Sequence, residues 1–541
     1  MNAPVDIRPQ DLVIVQSILR DHAPDARVWV FGSRAKWTTR ESSDLDLALD
    51  LGRAMTLSEE AALRSAFEES DLPYKVDIVD RQTATPSFQA VIDRDGVKFN
   101  QVKQWEPMTL GKAGVRLIDC VHATPQPAIV GYPYIAIPEM KDGRLDFDSA
   151  RKITVEDFKA WTRKAHPRKH DVVLSRRTNP GVTAPVSDHS DFALGQNLVL
   201  LRADGERVAP EFLRWLVSSP QWWTQIQKFM NVGAVFNSLK CADVPNFELP
   251  IPPKEEQRAI ASTLAALDDK IELNRRMNAT LERQAQAVFR DWFVDFGPVR
   301  RKQAGEADPV AIMGGLTPDP THATHLAALF PDALGDDALP VGWAMTPFSS
   351  VVTIIGGGTP KTSIATYWDG DIPWFSVADT PAGADTFVLD TEKRITRAGL
   401  ENSSARMIPA GTTIITARGT VGNLAVAGRE MTFNQSCYAL RSADGERPYF
   451  VYLATSRAIE QLQSMAHGSV FSTITRQTFD SVPIAKAGYE MIEMFEQIVT
   501  PLFERIKANA VENRTLAETR DYLLPRLMSG TVRVVPQDRA A

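Results

Sequence analysis

Ile271-Glu272-Leu273-Asn274-Arg275-Arg276-Met277-Asn278-Ala279-Thr280-Leu281 returns 235 residues later as Ile506-Lys507-Ala508-Asn509-Ala510-Val511-Glu512-Asn513-Arg514-Thr515-Leu516. The isoleucine, both asparagines, the threonine and the leucine are kept. Each stretch is the middle of a longer pattern. Ile260, Leu264, Leu267, Ile271, Asn274, Asn278, Leu281, Ala285, Val288 and Trp292 step alternately by four and three residues, and so do Phe495, Val499, Leu502, Ile506, Asn509, Asn513, Leu516, Arg520, Leu523 and Leu527. Sustained spacing of this kind predicts two long helices that meet along a narrow seam rather than two separate core helices. Asparagines inside such a seam cost stability and fix register, so Asn274, Asn278, Asn509 and Asn513 are the candidate registry marks. The first helix is expected from Glu255 to Phe296, stopped by Gly297-Pro298. The second is expected over Tyr489–Ser529, with Pro501 and Pro525 as positions that kink or shorten it.

The duplication extends upstream of the helices. Gly233-Ala234-Val235-Phe236-Asn237-Ser238 reads again as Gly468-Ser469-Val470-Phe471-Ser472-Thr473 at the same offset. Further back the spacing drifts, where Arg202-Ala203-Asp204-Gly205-Glu206-Arg207 matches Arg441-Ser442-Ala443-Asp444-Gly445-Glu446-Arg447. A fixed register in the helices with loop-sized slippage before them is the trace of a duplicated unit, suited to a two-part target. The expected organisation is a small α/β domain at 1–100, a globular unit at 105–253 and a helix at 254–297. A linker at 298–338 leads to a second globular unit at 339–485, a second helix at 486–530 and a tail at 531–541.

At 541 residues the chain exceeds a single core. Its 44% hydrophobic and 23% charged residues exclude wholesale disorder. No apolar run reaches the length of a membrane span, and Met1-Asn2-Ala3-Pro4-Val5 has no signal pattern, so a cytoplasmic protein is expected. Cys120, Cys241 and Cys437 form no metal spacing and are expected as free thiols. A net charge of −7 argues against coating nucleic acid by charge alone and leaves room for a local basic groove.

The second globular unit carries Leu339-Pro340-Val341-Gly342-Trp343, then Gly356-Gly357-Gly358-Thr359-Pro360 and Tyr367-Trp368-Asp369-Gly370-Asp371-Ile372-Pro373-Trp374. The first unit exits through Leu249-Pro250-Ile251-Pro252-Pro253-Lys254-Glu255-Glu256-Gln257, and the chain closes on Leu523-Leu524-Pro525-Arg526-Leu527-Met528-Ser529-Gly530. These segments, spread over about 105–535 in the order head, helix, head, helix, resemble type I restriction-modification specificity subunits. The resemblance implies an α+β multidomain fold: after the small N-terminal domain, two α/β target-recognition domains alternate with two long helices that form an antiparallel coiled coil. It implies that each head reads one half of a split, asymmetric double-stranded DNA site. The helix pair would set the spacing and dock two copies of the DNA methyltransferase subunit, with a restriction translocase subunit as a further partner. A helix of about 35 residues at roughly 1.5 Å each is on the order of 50 Å long, more than one DNA turn of about 34–36 Å. Arg176, Arg177 and Asn179 in the first head, and Lys361, Arg418 and Asn434 in the second, are the candidate DNA contacts. Arginine suits guanine edges, asparagine adenine edges, and lysine phosphates. Arg176 and Arg418 are read as nearly equivalent positions just after a strand. A solvated basic loop, or a turn held by Gly419 and Gly422, is the competing explanation.

The first 100 residues stand outside the repeat. Val28-Trp29-Val30-Phe31 reads as a strand running into Gly32-Ser33-Arg34-Ala35, followed by Ser43-Asp44-Leu45-Asp46-Leu47 and Val76-Asp77-Ile78. Asp44 and Asp46 leave one face of a strand, and Asp77 on a neighbouring strand can complete a cluster that holds divalent cations. Gly32 and Ser33 at a strand-to-helix turn can hold phosphate oxygens. The ordered set resembles the minimal nucleotidyltransferase domain of the polymerase-β superfamily. That resemblance implies Mg2+ on Asp44, Asp46 and Asp77, with these three as the catalytic residues. It implies ATP as nucleotide donor held by Gly32 and Ser33, and a protein or RNA hydroxyl as acceptor. A domain kept only for docking is the alternative, and a nucleotidyltransferase that uses the repeats to select a nucleic-acid substrate is a third reading.

Overall fold

The structure is a computed structural model. It describes residues 5–39, 43–99, 105–141, 143–187, 191–233, 237–381, 383, 385–443, 446–465 and 473–534. Most of the repeated glycine loop therefore lies outside the described residues, at 234–236 and 468–472. So do Asp444, Gly445 and the tail from 535.

The N-terminal sheet is built from β1 (Arg27–Phe31), β2 (Leu45–Asp50), β3 (Val76–Asp80) and β4 (Val97–Phe99), in the order β3-β2-β1-β4. β2 and β3 are parallel, while β1 runs antiparallel to β2 and β4. Leu45, Leu47 and Leu49 bury one face with Val28 and Val30, covered by Val15 and Leu19 of one helix and Leu63 and Phe67 of another. Ala48 and Phe31 pack on the other face with Ile92. Side chains alternate along a strand, so burying the leucines turns Asp46 to the second face.

The two heads share one topology. In the first, a sheet runs Thr183–Pro185, Val172–Ser175, Leu198–Ala203, Val115–Asp119. In the second, Leu424–Ala427, Thr413–Thr416, Cys437–Ser442 and Val352–Gly356 follow the same order, with Phe387–Val388 added at one edge. A three-stranded sheet also recurs. Lys152–Ile153, Tyr132–Ile135 and Ala193–Leu194 correspond to Arg394–Ile395, Trp368–Phe375 and Thr432–Phe433, the last pair parallel in both heads. Each head closes on a strand pair, Pro107–Thr109 with Glu248–Pro250, and Ala344–Pro347 with Pro483–Lys486.

Two helices run Lys254–Phe293 and Tyr489–Met528. The chain divides into two compact units within both, after Ala265 and after Thr519. In the first unit, Ile260 and Leu264 join Leu527 and Met528 in the core of the first head. In the second unit, the seam asparagines are buried and bond across the helices. Asn274 Nδ2 donates to Asn513 Oδ1 at 3.0 Å, and Asn509 Nδ2 donates to Asn278 Oδ1 at 2.8 Å. Opposite numbering trends in these pairs mean antiparallel strands of helix. Beyond them, Phe289, Trp292 and Phe293 pack against Phe450, Phe495 and Phe503 of the second head and second helix.

Two expectations are corrected. The second helix passes through both Pro501 and Pro525 without ending. Pro501 is exposed and Pro525 half-buried, and Gln497 and Asp521, whose carbonyls lose their amide partners, are exposed to water. The stretch 298–338 is not a bare linker. It holds helices Gly297–Gln303, Pro309–Ile312 and Pro320–Ala328, and Val299, Ile312, Leu326 and Phe330 join the core of the second unit. Its apolar residues are spread among glycines and prolines, so no single periodic run marks it. No helix among the described residues is long and apolar enough to cross a membrane, and Cys120, Cys241 and Cys437 are free.

Candidate functional site

At the end of β1 the chain turns through Gly32, φ +71°, into the short helix Gly32–Ala35. The register sets Asp46 opposite Phe31 on one side and opposite Asp77 on the other. The Asp46 carboxylate lies directly on the Gly32 backbone: a Cβ at Gly32 would meet Asp46 Oδ2 at 2.1 Å. Both the left-handed φ and this close approach demand glycine. Asp44 precedes β2 by one residue and is exposed, while Asp46 and Asp77 are half-buried.

Burial is the first cause raising the Asp46 pKa, followed by the charges of Asp77 and Asp44; Arg34 and Lys75 oppose it. Like charges are therefore gathered at this strand end, and a divalent cation would relieve them. The donor set fits such an ion. Lys75 pairs with Asp77 at 2.6 Å, and this contact raises the lysine's own pKa. Asp80, on the same strand as Asp77, accepts the amides of Met55 (2.8 Å) and Gln82 (2.9 Å), so its carboxylate serves the fold.

Arg34, given no role from sequence, is buried. Its guanidinium donates to Ser43 O at 2.7 and 3.2 Å and to Asp6 O at 2.8 Å, and stacks on Tyr74 at 3.7 Å. It thus fixes the backbone immediately before Asp44. The only sequence signal was its place after Gly32-Ser33, since a buried arginine is rare unless fully paired.

In the heads, the expected contacts sit at one turn and two nearby loops. Arg177 and Asn179 are exposed on the turn after Val172–Ser175, Arg418 on the turn after Thr413–Thr416, and Lys361 on a separate exposed loop. Asn434 spends its side-chain oxygen on the Ser436 amide at 3.0 Å, a role in its own turn. Arg176 is half-buried, and its charge opposes the burial that pushes Cys120 up to about 11 and also raises Cys241. The near-equivalence expected for Arg176 and Arg418 is off by one residue. Arg177 bridges to Ser238 as Arg418 bridges to Thr473, and Ala417 takes the place of Arg176. Neighbouring residues at a strand end face opposite ways, so the one-residue slip exchanged an inward for an outward side chain.

Asp119, Cys120 and His122 bring their ligand atoms within 4.8 Å of one another. His122 is already held between the Asp119 carboxylate (2.9 Å) and the Gln196 carbonyl (3.1 Å), and the Cys120 thiol donates to Gly195 O at 3.3 Å. The group fastens a turn.

Residues 130–283 and 340–485 match the model of the type I restriction modification DNA specificity domain. The chain belongs to that family. It is 28% identical over 417 residues to the type I restriction enzyme HindI specificity subunit of Haemophilus influenzae, covering 70% of this chain and 90% of that protein. A solved specificity subunit from M. genitalium aligns over 80% of this chain and 98% of its own, at 15% identity and a TM-score of 0.44. Outside the specificity region, residues 15–101 match the polymerase beta nucleotidyltransferase model. A probable protein adenylyltransferase of Haemophilus influenzae, MntA, is 41% identical over 90 residues, which are 17% of this chain and 79% of that one. This type I specificity protein therefore carries a nucleotidyltransferase-like domain at its N-terminus.

Proposed function

We propose that the protein directs a type I restriction-modification complex to a bipartite, asymmetric DNA site, each head reading one half. The observation that carries this reading is the strand-for-strand repetition of the heads together with the asparagine-paired helices. The helix pair acts as an antiparallel coiled coil that sets the spacing between half-sites and docks two methyltransferase subunits, with a restriction translocase subunit as a further partner. The domain limits are those given above, and the complex works in the cytoplasm. Sequencing methylated DNA from cells that carry this protein with its methyltransferase tests it. A two-part motif with a fixed gap is expected; its absence overturns the reading.

The N-terminal domain transfers AMP from ATP to a protein or RNA hydroxyl. The supporting observation is the carboxylate cluster around Asp46, pressed against the Gly32 turn and only partly offset by Lys75 and Arg34. Asp44, Asp46 and Asp77 would hold Mg2+, and Gly32 and Ser33 the triphosphate. The metal, when bound, would stabilise negative charge on the attacking oxygen and on the leaving pyrophosphate. The acceptor oxygen bonds the α-phosphorus, the bond to the β-phosphate bridge breaks, and the hydroxyl proton goes to water. Labelled ATP with Mg2+, with and without the methyltransferase subunits, tests this. Label on a protein or RNA acceptor supports it. No label on any candidate from a folded preparation leaves the domain as a docking surface, and label on DNA would favour substrate selection by the heads.

A further inference from the structure

The two turns that carry Arg177 and Arg418 match bond for bond. In the first head the Arg176 amide donates to Asn197 O at 3.0 Å, Leu239 N donates to Arg176 O at 2.9 Å, and Gly181 N donates to Ser175 O at 3.0 Å. In the second, Ala417 N donates to Ser436 O at 2.8 Å, Ile474 N to Ala417 O at 3.0 Å, and Gly422 N to Thr416 O at 2.8 Å. The left-handed positions also coincide: Thr178 and Gly181 at φ 64° and 97°, Gly419 and Gly422 at 82° and 90°.

Within this shared frame the side chains have diverged. Ser175-Arg176-Arg177-Thr178-Asn179-Pro180-Gly181 stands against Thr416-Ala417-Arg418-Gly419-Thr420-Val421-Gly422. Two identities survive. The glycine is explained by its backbone angle, and at Gly181 also by a Cβ that would meet Ile226 at 2.8 Å. The arginine is not called for by a left-handed backbone angle, and it is exposed to solvent in both heads. Two heads that read different bases share only one feature of their target, the sugar-phosphate backbone.

We propose that Arg177 and Arg418 are equivalent, sequence-independent phosphate contacts, one in each head, and that base selection lies with diverged neighbours such as Asn179 and Thr420. This rests on the reading of the heads as DNA-binding units. It reassigns Arg418 from guanine reader to positioning contact, which fixes the register of the head on the duplex without choosing the sequence.

The test uses the full chain assembled with its methyltransferase subunits. Binding is measured against salt on a duplex bearing the methylated motif and on a scrambled duplex of equal length. Arg177→Ala and Arg418→Ala should each weaken both duplexes by the same factor, roughly tenfold, and lower the salt slope by about one. The double variant should lower it by about two. Arg177→Lys and Arg418→Lys keep the charge and should keep the slope, and the methylated motif should not change in any variant. A loss confined to the motif duplex, or an altered half-site, makes the arginine a base reader and overturns the proposal. Unchanged affinity and slope in a folded alanine variant overturn it equally. A wild-type complex that binds no duplex removes the DNA-binding reading first, a result the variants could not imitate.

Discussion

Two acids, half-buried Asp46 in the N-terminal sheet and buried Glu496 at the second head, are both pushed up by desolvation, yet what comes next differs. Around Asp46 the next causes are Asp77 and Asp44, which push the same way. Around Glu496, whose pKa rises to about 7, the Tyr449 and Phe450 amides and Arg447 push back. Glu496 accepts those amides at 3.0 and 2.8 Å and so caps the helix Pro448–Met465. The first site gathers acids that its own cations only partly offset; the second is closed by its own amides and arginine. The first unit solves the same capping problem with a neutral group: Gln257 accepts the Ala209 amide at 2.7 Å and donates to Arg207 O and Pro252 O, each at 2.8 Å.

The largest effect should come from the carboxylate cluster. Asp46→Asn should reduce nucleotide transfer by at least about a hundredfold, because it removes a cation ligand. It should leave thermal stability unchanged or raised, since like charge is removed. Gly32→Ala should lose transfer as well, but through strain and the clash with Asp46, with a stability loss of about 2 kcal/mol. A scanning calorimetry comparison separates the two, and equal destabilisation would erase the distinction drawn here.

At the closed site the expected signature is pH. The folded pKa of Glu496 is raised from 4.5 to about 7. Its contribution is fully present below pH 4.5 and is lost as pH rises through about 7, up to on the order of 3 kcal/mol. Glu496→Gln should flatten that fall in melts of the full chain between pH 5 and 8, while variants at Gln257, which keep Glu496, should keep the fall. An unchanged profile in the glutamine variant would place the titrating group elsewhere.

A smaller effect is expected at the seam. Asn509→Leu leaves Asn278 Oδ1 without its donor and should cost about 1–3 kcal/mol. Replacing Asn278 and Asn509 together by leucine should be nearly neutral or stabilising, because both polar groups leave at once. A double variant no better than the single one would deny the pair any coupling.

The seam was legible because a 3.5-residue rhythm survives any change of loop length. Leu45, Asp46 and Leu47 were legible because alternation on a strand is equally local. What escaped depended on distance or on alignment. Arg34 is defined by Ser43 O, Asp6 O and Tyr74, none of them its sequence neighbours. Arg177 was missed as the partner of Arg418 because loop-sized slippage leaves the offset at that turn, 241 residues, unfixed by the matches on its C-terminal side, 240 at Asp204 and 235 at Gly233. The prolines at 501 and 525 read as positions that kink or shorten the helix because sequence does not reveal which carbonyls face water. The packed stretch 298–338 has too few apolar residues per turn to announce its burial.

One property of the seam reaches beyond stability. Asn274 donates to Asn513 as Asn509 donates to Asn278, so each bond is the other seen from the opposite helix. The same symmetry leaves Asn278 Nδ2 and Asn513 Nδ2 buried without acceptors among the described residues. Four residues thus behave as two kinds, donors at 274 and 509 and acceptors at 278 and 513. A substitution in one half of the gene creates a mismatch that only a change in the other half can cure, so the two copies are bound to drift together here while their heads are free to part.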